Sequence, residues 1–140
     1  MNLLLDTNVL SEVQRPLPDR KVLDWLDAVD EDRVFISVAS IAELRRGVVS
    51  MDEGRRRDTL AAWLANDLPA RFAGRTLPID QPIAERWGDL MAQSRRSGVA
   101  LSVMDGFFAA TALAKDLTLV TRNVRDFASF GIQLLNPWME

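Results

Sequence analysis

The chain has 140 residues, enough for one domain with its own core, and 48% of them are hydrophobic. It contains no histidine, which excludes serine–histidine triads and histidine zinc sites, and no cysteine, which excludes disulfide scaffolds and thiolate chemistry. The formal net charge of −3 provides no global positive field for nucleic acid, although all but two of the 17 basic residues are arginine, whose planar fork suits phosphate.

In chain order, Asn2 to Leu5 is an apolar run that predicts a buried parallel strand ending at Asp6. The run is too short for a signal peptide or a membrane span, so the expected compartment is the cytoplasm, with no membrane partner. Asn8 to Arg15 predicts a short helix stopped by Pro16 and Pro18. Asp19 then caps a second helix with Val22, Leu23, Trp25, Leu26 and Val29 on its apolar face. Arg33 to Val38 is a second strand, and Ser40 with Glu43 three positions on forms a capping box into a helix from Ile41 to Val49.

Arg55 to Leu68 shows helical spacing and ends before Pro69; Arg75 to Ile79 is a third strand after the Gly74 turn. A helix starting at Pro82 and ending near Gly98 carries Ile83, Trp87, Leu90 and Met91 as its stripe, and Ser102 caps another running to Lys115. Leu117 to Thr121 is the fourth strand, Val124 to Phe130 a short helix, and Ile132 to Leu135 the last strand. Strands alternating with helices predict an α/β fold, a single domain over residues 1–140. Its central parallel sheet has four to five strands, helices on both faces, and any active site at the carboxyl ends of the strands.

Without histidine, an enzyme lacking an organic cofactor depends on carboxylates, lysine, hydroxyls or a hard metal bound through oxygen. Asp6 stands where such a sheet places ligands, although an aspartate there can equally cap the following helix. Glu43 lies about one turn into the helix after the second strand and overhangs the same edge, the capping box being its alternative role. Asp105 occupies the first turn of its helix, where the helix dipole favours an acid, yet it sits inside the apolar segment SVMDGFFAATALA. After the fourth strand, TRNVRDF supplies Thr121 and Asn123 at the strand end and Asp126 in the next turn; either Asn123 or Asp126 completes the cluster. Converging carboxylates repel one another. A divalent cation relieves that repulsion, accepts phosphate oxygens and lowers the pKa of a bound water, replacing the missing histidine base.

At these residues the sequence resembles the PIN-domain family, particularly the VapC-type and FitB-like ribonuclease toxins of bacterial toxin–antitoxin pairs. The resemblance runs over nearly the whole chain through LLLDTNVLSE, SVASIAELRRGV, MDGFFAATALA, LVTRNVRDF and LNPW, in that order. It places the family's first acid on Asp6, its glutamate on Glu43 and its third acid on Asp105, with the fourth at Asn123 or Asp126. Thr7 and Asn8 match the small polar residues beside the first acid that orient ligands or water. It further implies an Mg²⁺- or Mn²⁺-dependent endoribonuclease acting on RNA, a homodimer, and a small antitoxin that covers or disrupts the site, with DNA contacted only through that antitoxin.

Two other acidic-pocket folds compete. A phosphohydrolase of the haloacid dehalogenase type needs a second aspartate two residues after the first, where this chain has Asn8. A response-regulator receiver needs adjacent early acids and a lysine after a late strand, and the lysines here are Lys21 and Lys115. A third alternative is an inactive PIN domain serving as an interaction module; Asn123 is the residue that leaves it open. Trp25, Trp63 and Trp87 read either as stacking platforms for bases or, at helical spacing among Leu and Met, as core or dimer interface; Trp138 after Pro137 packs back on the body.

Overall fold

The computed structural model describes residues 1–139. Five short strands form one parallel sheet: β1 (Leu3–Leu5), β2 (Val34–Ser37), β3 (Thr76–Leu77), β4 (Thr118–Val120) and β5 (Leu134–Leu135), in the order β3-β2-β1-β4-β5. The chain steps outward from the central β1 to β3, then returns to lay β4 on the other side of β1. That reversal makes the β1/β4 boundary the switch point, where the carboxyl ends of the strands open a crevice.

Among the described residues eight α-helices join the strands: α1 (Thr7–Val13), α2 (Arg20–Ala28), α3 (Val38–Val49), α4 (Arg55–Ala62), α5 (Leu68–Arg71), α6 (Gln81–Ser97), α7 (Val103–Lys115) and α8 (Val124–Phe127). Side chains alternate across each strand, so the sheet builds two cores. Leu3, Leu5 and Ile36 pack with Val9, Val22, Leu64 and Leu68 on one face, and Leu4 and Leu119 with Ile83, Leu90, Phe108 and Phe127 on the other. With both faces covered, a strand has no solvent side, which is why β1 and β4 read as unbroken apolar runs.

The expected caps at Asp19 and Ser102 form: Asp19 accepts from the Lys21 amide at 2.9 Å and Ser102 from the Asp105 amide at 3.1 Å. Two local expectations are corrected. The Ser40–Glu43 capping box does not exist, because β2 passes directly into α3 and Ser37 accepts from the Ala39 amide at 2.9 Å, leaving Ser40 inside the first turn. Nor does the helix after Arg55 stop before Pro69. It widens into a π-helical turn at Trp63–Asp67, where the Leu68 amide donates to the Trp63 carbonyl, and continues through α5. The wider turn accommodates a proline that has no amide to donate and whose ring would crowd the carbonyl four residues back.

The tryptophans serve packing. Trp25 and Trp63 press on the first core, which includes Trp138, and Trp87 presses on the second, stacked on Phe107 with centroids 5.1 Å apart. Trp87 Nε1 also donates to the Val103 carbonyl at 3.1 Å. A Cβ on Gly106 would lie 2.8 Å from Met91 Sδ and 2.9 Å from Trp87 Nε1. The glycine thus permits α6 to approach the first turn of α7 and hold it against the sheet.

Candidate active site

Asp6 is the first residue past β1, in extended backbone with φ −67° and ψ 154°. Its side chain makes no capping bond to α1; instead Oδ2 accepts from the Thr121 hydroxyl at 2.8 Å, across the switch point. Asn8 Nδ2 donates to Thr121 Oγ1 at 3.3 Å and reaches Asp6 Oδ2 at 3.5 Å. The buried Thr121 hydroxyl also accepts from the Asn123 amide at 3.0 Å, so the turn after β4 holds the acid after β1.

Glu43 stands in the second turn of α3, where its Oε1 accepts from the Thr7 hydroxyl at 2.6 Å, and Thr7 Oγ1 lies 2.9 Å from Ser40 Oγ. This contact fixes the carboxylate on α3 from the first residue of α1. Asp105 is half-buried in the first turn of α7, close behind the Ser102 cap. Asp6, Glu43 and Asp105 line a single cleft of about 370 Å³, together with Thr7, Asn8 and Asn123. Asp126 is exposed on α8 and does not line the cleft, although its charge reaches Asp105.

Burial pushes the Asp6 carboxyl up to about 6, against the Thr121 hydrogen bond and with the charges of Asp105 and Glu43 adding to the rise. Burial likewise raises Asp105, opposed by Ser102 and reinforced by Asp126 and Glu43. Among the described residues none of Asp6, Glu43 and Asp105 has an ion-pair partner.

The donor set is all oxygen, which fits a hard divalent cation such as Mg²⁺ or Mn²⁺. A second observation agrees with it: Asn8 Oδ1 is buried with no hydrogen-bond partner among the described residues, although Asn8 lines the cleft. No three acidic side chains among the described residues are close enough to enclose an ion. The fit is therefore to a cation held by one or two carboxylates and completed by water, the arrangement Mg²⁺ favours.

A smaller apolar cavity of about 160 Å³ lies between α1, α2 and α5. Of its two acids, Glu31 is matched by Arg71 at 2.7 Å and held below the usual carboxylate range, and Asp67 is exposed, so that cavity gathers no comparable cluster of buried acids.

Residue-by-residue reading of the acids left out the cleft's other wall, formed by Ser11, Glu12, Arg15, Arg122 and Trp138. The signal was present around α1, where Asn8, Ser11 and Glu12 share one helix face and Arg15 follows just past the helix end. Among the described residues no helix is long and apolar enough to cross a membrane.

A family model described as "PIN domain" matches residues 3–132. The chain is 41% identical over 136 residues to plasmid stability protein StbB of Pseudomonas syringae pv. tomato, covering 97% of this chain and 98% of the relative. It is 39% identical over 136 residues to VapC ribonuclease Y4jK of Sinorhizobium fredii, covering 97% of each, and 37% identical over 136 residues to toxin FitB of Neisseria gonorrhoeae, covering 97% and 98%. Among solved structures, that of FitAcB from Neisseria gonorrhoeae superposes with a TM-score of 0.92 at 36% identity, covering 99% of both chains. The structure of FitAB bound to an IR36 DNA fragment superposes with a TM-score of 0.90 at 34% identity, covering 97% of this chain and 95% of that one. Matched along almost its whole length by both the family model and these relatives, the chain belongs to the PIN-domain family.

Proposed function

We propose that the protein is a divalent-metal-dependent endoribonuclease and the toxin of a toxin–antitoxin pair. The observation that carries this reading is the convergence of Asp6, Glu43 and Asp105 on one cleft at the switch point, with Asp6 raised to about 6 and none of the three in an ion pair among the described residues. The names of the VapC ribonuclease and FitB toxin relatives support the same activity class.

One or two of Asp6, Asp105 and Glu43 are the groups that would hold Mg²⁺ or Mn²⁺ directly, with the rest reaching it through water. The ion, when bound, supplies charge neutralisation at the phosphate and Lewis acidity toward water. The chain's own part is orientation. Thr121 holds Asp6 by its Oδ2, Thr7 holds Glu43 by its Oε1, and Asn8 Oδ1 is left as an acceptor for a water or hydroxyl in the cleft. A carboxylate oxygen facing the cleft serves as proton acceptor where another enzyme would use histidine. Asn123 lines the cleft beside these groups, while Asp126 acts on Asp105 through its charge alone. The partners that go with this reading are RNA as substrate, a cognate antitoxin, DNA through that antitoxin, and a second copy in a homodimer, in the cytoplasm.

The test is cleavage of total cellular RNA by the purified, antitoxin-free protein in Mg²⁺, Mn²⁺ or EDTA, beside Asp6→Asn and Asp105→Asn. Metal-dependent cutting that falls by about 10²-fold or more in both folded variants is the expected result. Unchanged turnover in either variant removes that acid from the site, and cutting that persists in EDTA overturns the metal-dependent reading.

A further inference from the structure

The cleft has two unlike walls. Asp6, Glu43 and Asp105 make one, and Arg15 and Arg122, the only basic residues among those lining it, belong to the other. Arg15 is set by Glu12, whose side chain is only 3% exposed, with Nη1 lying 3.1 Å from Oε1 and 3.4 Å from Oε2. The Asp19 amide donates to Glu12 Oε2 at 2.9 Å, so the carboxylate that positions Arg15 is itself held from the start of α2. A single nitrogen of Arg15 makes both contacts. Among the described residues its Nε and Nη2 have no partner, and its side chain is 60% exposed.

Arg122 is placed differently. It follows Thr121 and lays its guanidinium over the Trp138 ring at 5.4 Å. Trp138 is buried, its backbone amide donates to Asn136 Oδ1 at 3.0 Å, and Asn136 Nδ2 reaches back to the Arg122 carbonyl at 3.5 Å. Among the described residues the Arg122 guanidinium makes no hydrogen bond or ion pair, so its donors are available in the plane of the fork.

Three carboxylates repel a polyanion, and a single divalent ion leaves that wall net negative. A strand entering the cleft therefore needs cations next to the acids. We infer that Arg15 and Arg122 form a phosphate-binding subsite of the cleft, seating a backbone phosphate of single-stranded RNA adjacent to the one at the acids, with Glu12 and Trp138 as the positioning residues. This subsite rests on the ribonuclease reading and adds to it the groups that hold the strand.

The test is equilibrium binding of a fluorescein-labelled, random-sequence RNA of about 20 nucleotides, followed by anisotropy in Ca²⁺ across a salt series. The proteins are wild type, Arg15→Gln, Arg122→Gln, the pair Glu12→Gln/Arg15→Gln, and Arg95→Gln on α6, which does not line the cleft. The double variant covers the case in which Arg15→Gln alone leaves Glu12 buried without its cation and fails to fold.

Each cleft-arginine substitution is expected to weaken binding about 5- to 10-fold at low salt and to reduce the slope of log K against log[salt] by about 0.7, the value for one phosphate contact on a single strand. Arg95→Gln is expected to match wild type in both. Wild-type binding that Arg122→Gln and the double variant leave unchanged at every salt overturns the subsite and leaves the ribonuclease reading standing. No RNA binding by wild type at any salt overturns both.

Discussion

Two kinds of acid occupy this small fold. At the switch point Asp6 and Asp105 are raised by burial and by neighbouring acids, Asp105 and Glu43 for the first and Asp126 and Glu43 for the second, and among the described residues neither has an ion-pair partner. Three other acids, one of them on the cleft's opposite wall, are matched. Glu31 lies 2.7 Å from Arg71, Asp80 2.6 Å from Lys115 and Glu12 3.1 Å from Arg15, and each is lowered. The matched acids tie elements together: Glu31 joins the turn before β2 to α5, and Asp80 joins the start of α6 to the end of α7. The unmatched pair forms no ion pair between elements, and its charge costs stability. Such an arrangement persists where charge is needed for something outside the chain.

The comparison breaks most readily at Asp6. Its folded value of about 6 exceeds the ordinary 3.8, so the fold binds this proton more tightly than the unfolded chain does. In metal-free protein the resulting stability is fully present below the ordinary value and is lost as pH rises through about 6, a difference of at most about 3 kcal/mol. Asp6→Asn lacks that loss. Calorimetry of the metal-free proteins should therefore show the variant gaining in Tm over wild type between pH 4 and 7, approximately the window from the ordinary value to the shifted one. Mn²⁺ should reverse the order by binding wild type alone, with affinity falling about tenfold per pH unit below 6 because the ion competes with the proton. Equal pH dependence in the two proteins would show that Asp6 is not raised, and a variant that instead loses Tm toward neutral pH would place Asp6 among the matched acids.

This division was partly visible in the sequence. Asp6 and Asp105 stood out because each interrupts an apolar run, and the alternation of runs and caps located the sheet around them. Glu43 was harder to interpret. Ser37 and Ser40 are both able to cap, and only the point where β2 leaves the sheet decides between them. Pro69 read as a stop because the π-helical turn that carries the helix past it depends on burying Leu64 and Leu68 together, a tertiary matter. The arginine wall was hidden for the same kind of reason. Glu12 looks like a surface acid until Trp138 comes back from the far end of the chain and helps to cover it, and Arg122 acquires its place only from that ring.

Among the matched acids, Glu12 should matter most for stability. Burial works against its charge, and the Asp19 amide and the Arg15 guanidinium more than compensate, so its carboxyl lies below the usual range. Removing it as Glu12→Ala leaves the Asp19 amide without its acceptor and a hole beneath Arg15, with an expected loss of about 2 kcal/mol. The contribution of a lowered acid is present above its unfolded pKa and disappears as pH falls through the folded one. The deficit of the variant, measured by urea unfolding, should therefore be largest at neutral pH and shrink in acid. A deficit that stays constant with pH would mean that packing against Trp138, not charge, is what Glu12 contributes.

Asp80 should show the smallest effect, and its two roles can be separated. Its carboxylate accepts from the Ile83 amide at 3.1 Å as the cap of α6 and pairs with Lys115 at 2.6 Å, where both side chains are 35% exposed. Asparagine caps as well as aspartate, so Asp80→Asn keeps the first role and removes the second. An ion pair this open to water is weak and screened by salt. The expected result is a slight lowering of Tm that disappears in about 0.5 M NaCl, where the Debye length falls well below 10 Å. A larger loss, or one that salt leaves untouched, would show that the α6–α7 junction depends on this pair more than its exposure allows. The distinction between acids that bind the fold together and acids held for a ligand would then have to be drawn from geometry at the cleft alone.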